Sequence, residues 1–89
     1  MKAVITVTGK DSMGIIAAVS ALCTTHGANI VDISQTVMQE YFAMIMLIDL
    51  EQLRIPFGTF SDALDALAEE NGLKIHAMHE DVFNSMHRI

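Results

Sequence analysis

The chain repeats one pattern at a spacing of 45 residues, and this repeat limits the folds that are open to it. The segment THGANI at residues 25–30 falls on ENGLKI at residues 70–75 when the sequence is shifted by that amount. Gly27 then coincides with Gly72, and an apolar segment precedes each glycine. Since 89 residues suffice for one core but not for two, we predict a single domain that contains two strand–helix–strand units.

The local patterns place these units along the chain. Alternation of apolar and polar side chains predicts strands, and apolar spacing of three to four residues predicts helices. Gly27 suits a helix C-terminus because glycine adopts the left-handed conformation at little cost, and Pro56 suits a first helical turn. The predicted strands are residues 2–8, 29–38, 41–50 and 73–79, and the predicted helices are residues 13–26, 56–72 and 81–88.

Joining the two units by a tight turn at residues 38–41 gives the order β-α-β-β-α-β, which is the ferredoxin-like α+β sandwich. Right-handed crossovers place both helices on one face of an antiparallel four-stranded sheet of order 4-1-3-2, with a short C-terminal helix. The strand at residues 41–50 is then central, yet it is apolar on both faces. The helix-free face must therefore be covered by the terminal helix or by a partner.

The composition excludes several classes of function. The formal charge is −6, which disfavours direct nucleic-acid binding and anionic membranes. Only 18% of the residues are charged while 52% are hydrophobic, so the chain carries more apolar surface than one small core needs. The lone Cys23, the absence of a signal-peptide pattern and the absence of an apolar run of ~20 residues favour a cytoplasmic protein.

Catalytic and metal-binding patterns are weak. The loop from Gly9 to Gly14 lacks the Lys and Ser/Thr that complete a phosphate-binding P-loop. His76 and His79 are three residues apart in a strand and should point to opposite faces. Residues 79–81 could be interpreted as a metal cluster at a strand end, but a solvated chain terminus explains them better. We therefore predict neither an enzyme nor a bound metal or cofactor.

The loop before the first helix is the best candidate for a binding site. Free N–H groups at Met13, Gly14 and Ile15 can receive a carboxylate at the start of a helix. Asp11 is placed to pair with an ammonium group, so a zwitterion such as an amino acid matches both charges. In the alternative interpretation, Asp11 or Ser12 merely caps the helix and Gly14 merely allows close packing.

The segment from this loop to the second strand also resembles the ACT domain family. That family shows an acidic or amide residue about three positions before Gly-Ile, then a helix, then Gly-x-Asn-Ile, and this chain has Asp11, Gly14-Ile15 and residues 27–30 (GANI). The resemblance covers nearly the whole chain and is greatest to stand-alone single-ACT proteins of about 90 residues. The ACT modules of formyltetrahydrofolate deformylase and of the glycine cleavage system repressor are more distantly similar. Where the family often has Arg-Pro, this chain has Ser12-Met13.

The resemblance implies a small regulatory protein that forms a homodimer or a larger oligomer. Many ACT domains bind amino acids at this loop, between subunits, with help from the Asn that opens the second strand. The rival interpretation is a ligand-free protein–protein interaction module. The candidate ligand-binding residues are Lys10, Asp11, Ser12, Met13, Gly14, Ile15, Asn29 and Ile30.

Overall fold

The secondary structure follows the predicted order. A computed structural model describes residues 1–10 and 14–86, and the side chain of Met86 lies outside that description. The loop residues 11–13, which include three of the predicted site residues, therefore lie outside the described residues. The elements are β1 (Lys2–Gly9), α1 (Ile15–His26), β2 (Asn29–Met38), β3 (Tyr41–Asp49), α2 (Phe57–Asn71), β4 (Lys74–His79) and α3 (Glu80–Met86).

The sheet has the order β2-β3-β1-β4, which is the predicted 4-1-3-2 arrangement, and all its pairs are antiparallel. Alternation along β1 points Ala3, Ile5 and Val7 into a core where each is fully buried. On β3 the alternate residues Met44, Met46 and Ile48 are buried with them. Phe60 and Leu64 of α2 and Val19 and Cys23 of α1 close the same core.

Both long helices end in the same way, which accounts for the sequence repeat. Gly27 and Gly72 have φ of 82° and 67° and occupy the left-handed region. The N–H of Ala28 donates to the carbonyl of Cys23 at 2.8 Å, and that of Leu73 donates to Ala68 at the same distance. This bonding is the Schellman motif, and it returns the chain to the sheet after each helix.

Several boundaries differ from the predicted ones in ways that have physical causes. Pro56 lies one residue before α2, at the N-cap, because its ψ of 147° is not helical. The β2 strand is interrupted at Val31, where the pairing with β3 shifts register by one residue. The alternation did not predict this bulge, because Val31 is itself apolar and continues the pattern of Ile33 and Val37.

The helix-free face of the sheet is covered only at one end. The short helix α3 packs against β1 and β4, and Val4, which points to that face, is 4% exposed. Beyond α3, Tyr41 and Ile45 of β3 remain 50% and 46% exposed on the same face. The terminal helix therefore covers β1 and β4 at one end of the helix-free face, and it leaves Tyr41 and Ile45 of β3 open at the hairpin end.

Candidate functional site

The predicted binding loop leads into the N-terminus of α1. Gly14 occupies the N-cap with φ of 74° and ψ of −1°, and its carbonyl accepts the first helical bond from Ala18 at 3.0 Å. The N–H groups at the start of this 12-residue helix have no carbonyl partner within the helix. An anion is favoured there by those donors and by the helix dipole.

The backbone conformation of Gly14 accounts for glycine at this position. A Cβ at Gly14 would meet no heavy atom of the described residues within 4 Å, whereas its positive φ disfavours other residue types. Among the described residues, none packs against Gly14 closely enough to require glycine there. Close approach occurs instead at Gly9, where an added Cβ would lie 2.4 Å from Cδ2 of Leu73. The helix cap is also glycine itself, and Asp11 and Ser12 lie outside the described residues.

Two of the predicted site residues belong to the core. Ile15 is 5% exposed, and Ile30 packs against the buried cluster on the helix-covered face. Ile15 can therefore offer a ligand little beyond its backbone groups, whereas the side chain of Ile30 is only partly buried. Lys10, in contrast, is exposed, and its Nζ lies 6.0 Å from the centroid of the Tyr41 ring.

Asn29 lies far from the loop within one subunit. It is the first residue of β2 and pairs with Asp49, which in turn pairs with Lys2 at the start of β1. The loop follows Gly9, which pairs with Phe42, seven positions away along β3. At a rise of ~3.3 Å per residue, the two parts of the predicted site are separated by roughly 23 Å. A single subunit therefore does not bring Asn29 and the loop together.

Each end of the sheet carries a concave surface. At the end near the loop, a groove of about 480 Å³ opens on the helix-free face. At the opposite end, a depression of about 390 Å³ includes Asn29, Asp49 and Glu51. Sequence reasoning missed the groove because its walls come from four strands whose register has to be known. The groove is lined by Thr8, Gly9, Lys10, Thr36, Met38, Tyr41, Phe42, Ala43, Gly72 and Lys74.

His76 and His79 lie in β4, and Cys23 lies in the core. His76 pairs with Thr6 and His79 with Ala3, so the two rings are on opposite faces as predicted. Within residues 1–10 and 14–86, no group of three His, Cys, Asp or Glu side chains could hold a metal ion. Cys23 is fully buried, and burial raises the pKa of its thiol to about 11.

Comparison with known proteins identifies the family. The sequence model of the ACT domain matches residues 2–78. The chain belongs to the ACT domain family. Over 89 residues it is 49% identical to a UPF0237 protein of Clostridium acetobutylicum, and the match covers all of both chains. A UPF0237 protein of Methanopyrus kandleri is 44% identical over 88 residues, which are 99% of this chain and 98% of the relative. The resemblance to stand-alone ACT proteins is thus confirmed.

Solved structures confirm the ACT fold. An ACT domain protein from Streptococcus pneumoniae is similar with a TM-score of 0.81 and 38% identity over 93% of both chains. A formyltetrahydrofolate deformylase from Burkholderia mallei shares the fold alone, with a TM-score of 0.78 and 15% identity. The matched region is 88% of this chain and 28% of the deformylase chain. A structure assigned as a glycine cleavage system transcriptional repressor has a TM-score of 0.69 and 28% identity, over 85% of this chain and 43% of the repressor.

Among the described segments, none of the helices combines the length and apolarity needed to cross a bilayer.

Proposed function

We propose that this ACT protein is a homodimeric regulatory module that binds an amino acid at the loop between β1 and α1. The observation that carries the proposal is the position of the two halves of the site. The loop and Asn29 lie at opposite ends of one sheet, and the edge strand β2 runs between those ends.

The edge strand supports pairing between two subunits. All ten residues of β2 are exposed except Ile30, which is partly buried, and Asp32 is the only charged residue among them. An unpaired edge of this length is a template for association. The adjoining helix α1 carries no Asp, Glu, Lys or Arg to oppose close approach. Two β2 edges related by a two-fold axis would form one continuous antiparallel sheet.

This pairing would complete the site. Antiparallel alignment of two β2 strands brings the start of one strand beside the end of the other. The partner subunit's Asn29 then lies at the sheet end that carries the loop of the first subunit. The N-terminus of α1 would receive the carboxylate of the ligand, Asp11 its ammonium group, and the partner subunit's Asn29 would add an amide. The ligand-free interaction module remains the alternative.

A thermal-shift screen of the twenty amino acids tests binding. A ligand present at 100 times its Kd stabilises the folded state by about 2.7 kcal/mol. For a chain of this length, 1 kcal/mol raises Tm by roughly 4–8 °C, so the correct amino acid should raise Tm by roughly 10–20 °C. If no amino acid raises Tm, the interaction module is the better interpretation.

Complementation between variants tests whether the site is shared. Asp11→Asn and Asn29→Ala should each weaken binding of the amino acid by about 1–3 kcal/mol, or roughly 5–150-fold. A mixed dimer of the two variants keeps one intact site of its two, so calorimetry of the mixture should recover tight binding at part of the sites. Asn84→Ala changes an exposed amide on α3 and is the matched control. A mixture that binds no better than either variant would contradict a site shared between subunits.

A further inference from the structure

The groove at the hairpin end of the helix-free face is a second candidate site. Its floor is a row of residues in register, one from each strand: Lys74 on β4, Thr8 on β1, Ala43 on β3 and Thr36 on β2. Residues in register on a sheet point to the same face, and all four are exposed. The small Ala43 lies at the centre of the row, and its methyl group leaves the middle of the floor low.

The groove has an aromatic wall and a hydroxyl-bearing floor. Tyr41 and Met38 pair with each other in the next row towards the turn, and both are at least half exposed. At the other end of the face, α3 occupies the space above β1 and β4. The groove is therefore bounded on two sides. Its volume of about 480 Å³ lies within the range of ~300–1,000 Å³ that is typical of small-molecule sites.

The described charged residues that line the groove are both basic, although the chain as a whole is acidic. Lys10 and Lys74 line it, and these are two of the five Lys and Arg residues of a chain with net charge −6. None of the described residues that line the groove is acidic. The ammonium group of Lys10 lies 6.0 Å from the Tyr41 ring centroid, at the limit of a cation–π contact. A local positive charge of this kind attracts anions to an otherwise acidic protein.

We propose that this groove binds a small organic anion, with a carboxylate or phosphate group held by Lys10 and Lys74 and a flat apolar body lying over Ala43 against Tyr41. The hydroxyl groups of Thr8 and Thr36 supply hydrogen bonds across the floor. The site is separate from that of the proposed function: it lies on the helix-free face, needs no second subunit, and has only Lys10 in common with the loop site.

NMR titration of the amide signals tests the proposal with defined probes. Phenyl phosphate and phenylacetate each combine an anion with a flat apolar body, and their comparison tells whether phosphate or carboxylate is preferred. Benzyl alcohol carries the ring without the charge, and inorganic phosphate carries the charge without the ring. We expect one of the two aromatic anions to shift the amide signals of Thr8, Thr36 and Ala43 and to bind at least fivefold more tightly than either partial probe.

Three variants connect the binding to the groove. Lys74→Gln should raise Kd for the preferred probe at least fivefold, Lys74→Arg should keep the affinity within about twofold, and Ala43→Leu should abolish binding by filling the floor. Lys2→Gln is the matched control, because Lys2 is exposed on the same face at the other end of β1.

Other outcomes would overturn the proposal. Equal affinity for benzyl alcohol, or unchanged affinity in both Lys74→Gln and Ala43→Leu, would show that the charged groove does not bind the probe. If these variants instead change the sedimentation of the protein and leave probe binding unaltered, a second copy of the chain covers this face. None of these results depends on amino-acid binding at the loop, so the two proposals fail separately.

Discussion

Replacing Gly27 by alanine should destabilise the protein much more than the same change at Gly72. Both residues end a helix with positive φ, so each alanine incurs a left-handed backbone cost of about 1–2 kcal/mol. An added Cβ at Gly72 meets no heavy atom of the described residues within 4 Å, whereas one at Gly27 would lie 2.2 Å from the backbone oxygen of Gln52. The pair therefore separates backbone strain from steric overlap.

The loop that contains Gln52 cannot withdraw easily. The N–H of Arg54 donates to the carbonyl of His26 at 2.9 Å, and the N–H of Leu53 donates to Leu50 at 3.1 Å. Relieving the overlap would break these bonds or distort the helix end, at a cost of about 1–3 kcal/mol, as is usual for overpacking. We therefore expect a loss of about 2–5 kcal/mol for Gly27→Ala and about 1–2 kcal/mol for Gly72→Ala.

Urea denaturation at one fixed protein concentration measures both values, because any dimer makes apparent stability depend on concentration. The m-values should match that of the parent, since neither change alters the surface exposed on unfolding. Equal losses for the two variants, or a larger loss for Gly72→Ala, would refute the steric argument and with it the close contact between the end of α1 and the loop at residues 50–55.

Two further predictions concern the edge strand and the buried thiol. Val37 is 61% exposed on β2, and Val37→Lys should convert the proposed dimer to a monomer in sedimentation at micromolar concentration, because each lysine would place an unpaired charge in a desolvated seam. Thr59→Lys on the exposed side of α2 should leave the dimer intact, and a parent protein that sediments as a monomer would contradict the proposed pairing. Cys23 should not react with a thiol reagent at pH 8, and the free energy of unfolding should fall between pH 9 and 11: the unfolded thiol ionises from its usual pKa of 9.0, whereas burial raises the folded pKa to about 11. Rapid native-state modification at pH 8 would contradict this.

The fold was predictable because its determinants are local or repeated. Alternation along residues 2–8 assigned Ala3, Ile5 and Val7 to one face, and all three are buried. The repeated glycines at Gly27 and Gly72 marked both helix ends, because glycine adopts the left-handed conformation cheaply and local bonding then fixes the turn. Strand order followed from the handedness of the two crossovers, which requires knowledge of the elements but not of any contact.

The surfaces that could bind ligands were less predictable. Thr8, Thr36 and Ala43 are ordinary strand residues, and only the register of three strands places them in one row. The bulge at Val31 would have misplaced such a row at the start of β2. Asn29 shows a different difficulty. The sequence correctly assigned Asn29 to the ACT pattern, but two parts of one sequence pattern need not lie close together within one subunit.

The separation of Asn29 from the loop also bears on how the proposed ACT dimer would regulate. A site divided between two subunits makes ligand binding and dimerisation linked equilibria, so each must strengthen the other by the same free energy. The groove on the helix-free face shares β2 with the proposed seam, because Thr36 and Met38 belong to that strand. An anion in the groove would contact the edge on which pairing depends. Its occupancy could therefore alter dimerisation, and through it amino-acid affinity, without contact between the two ligands.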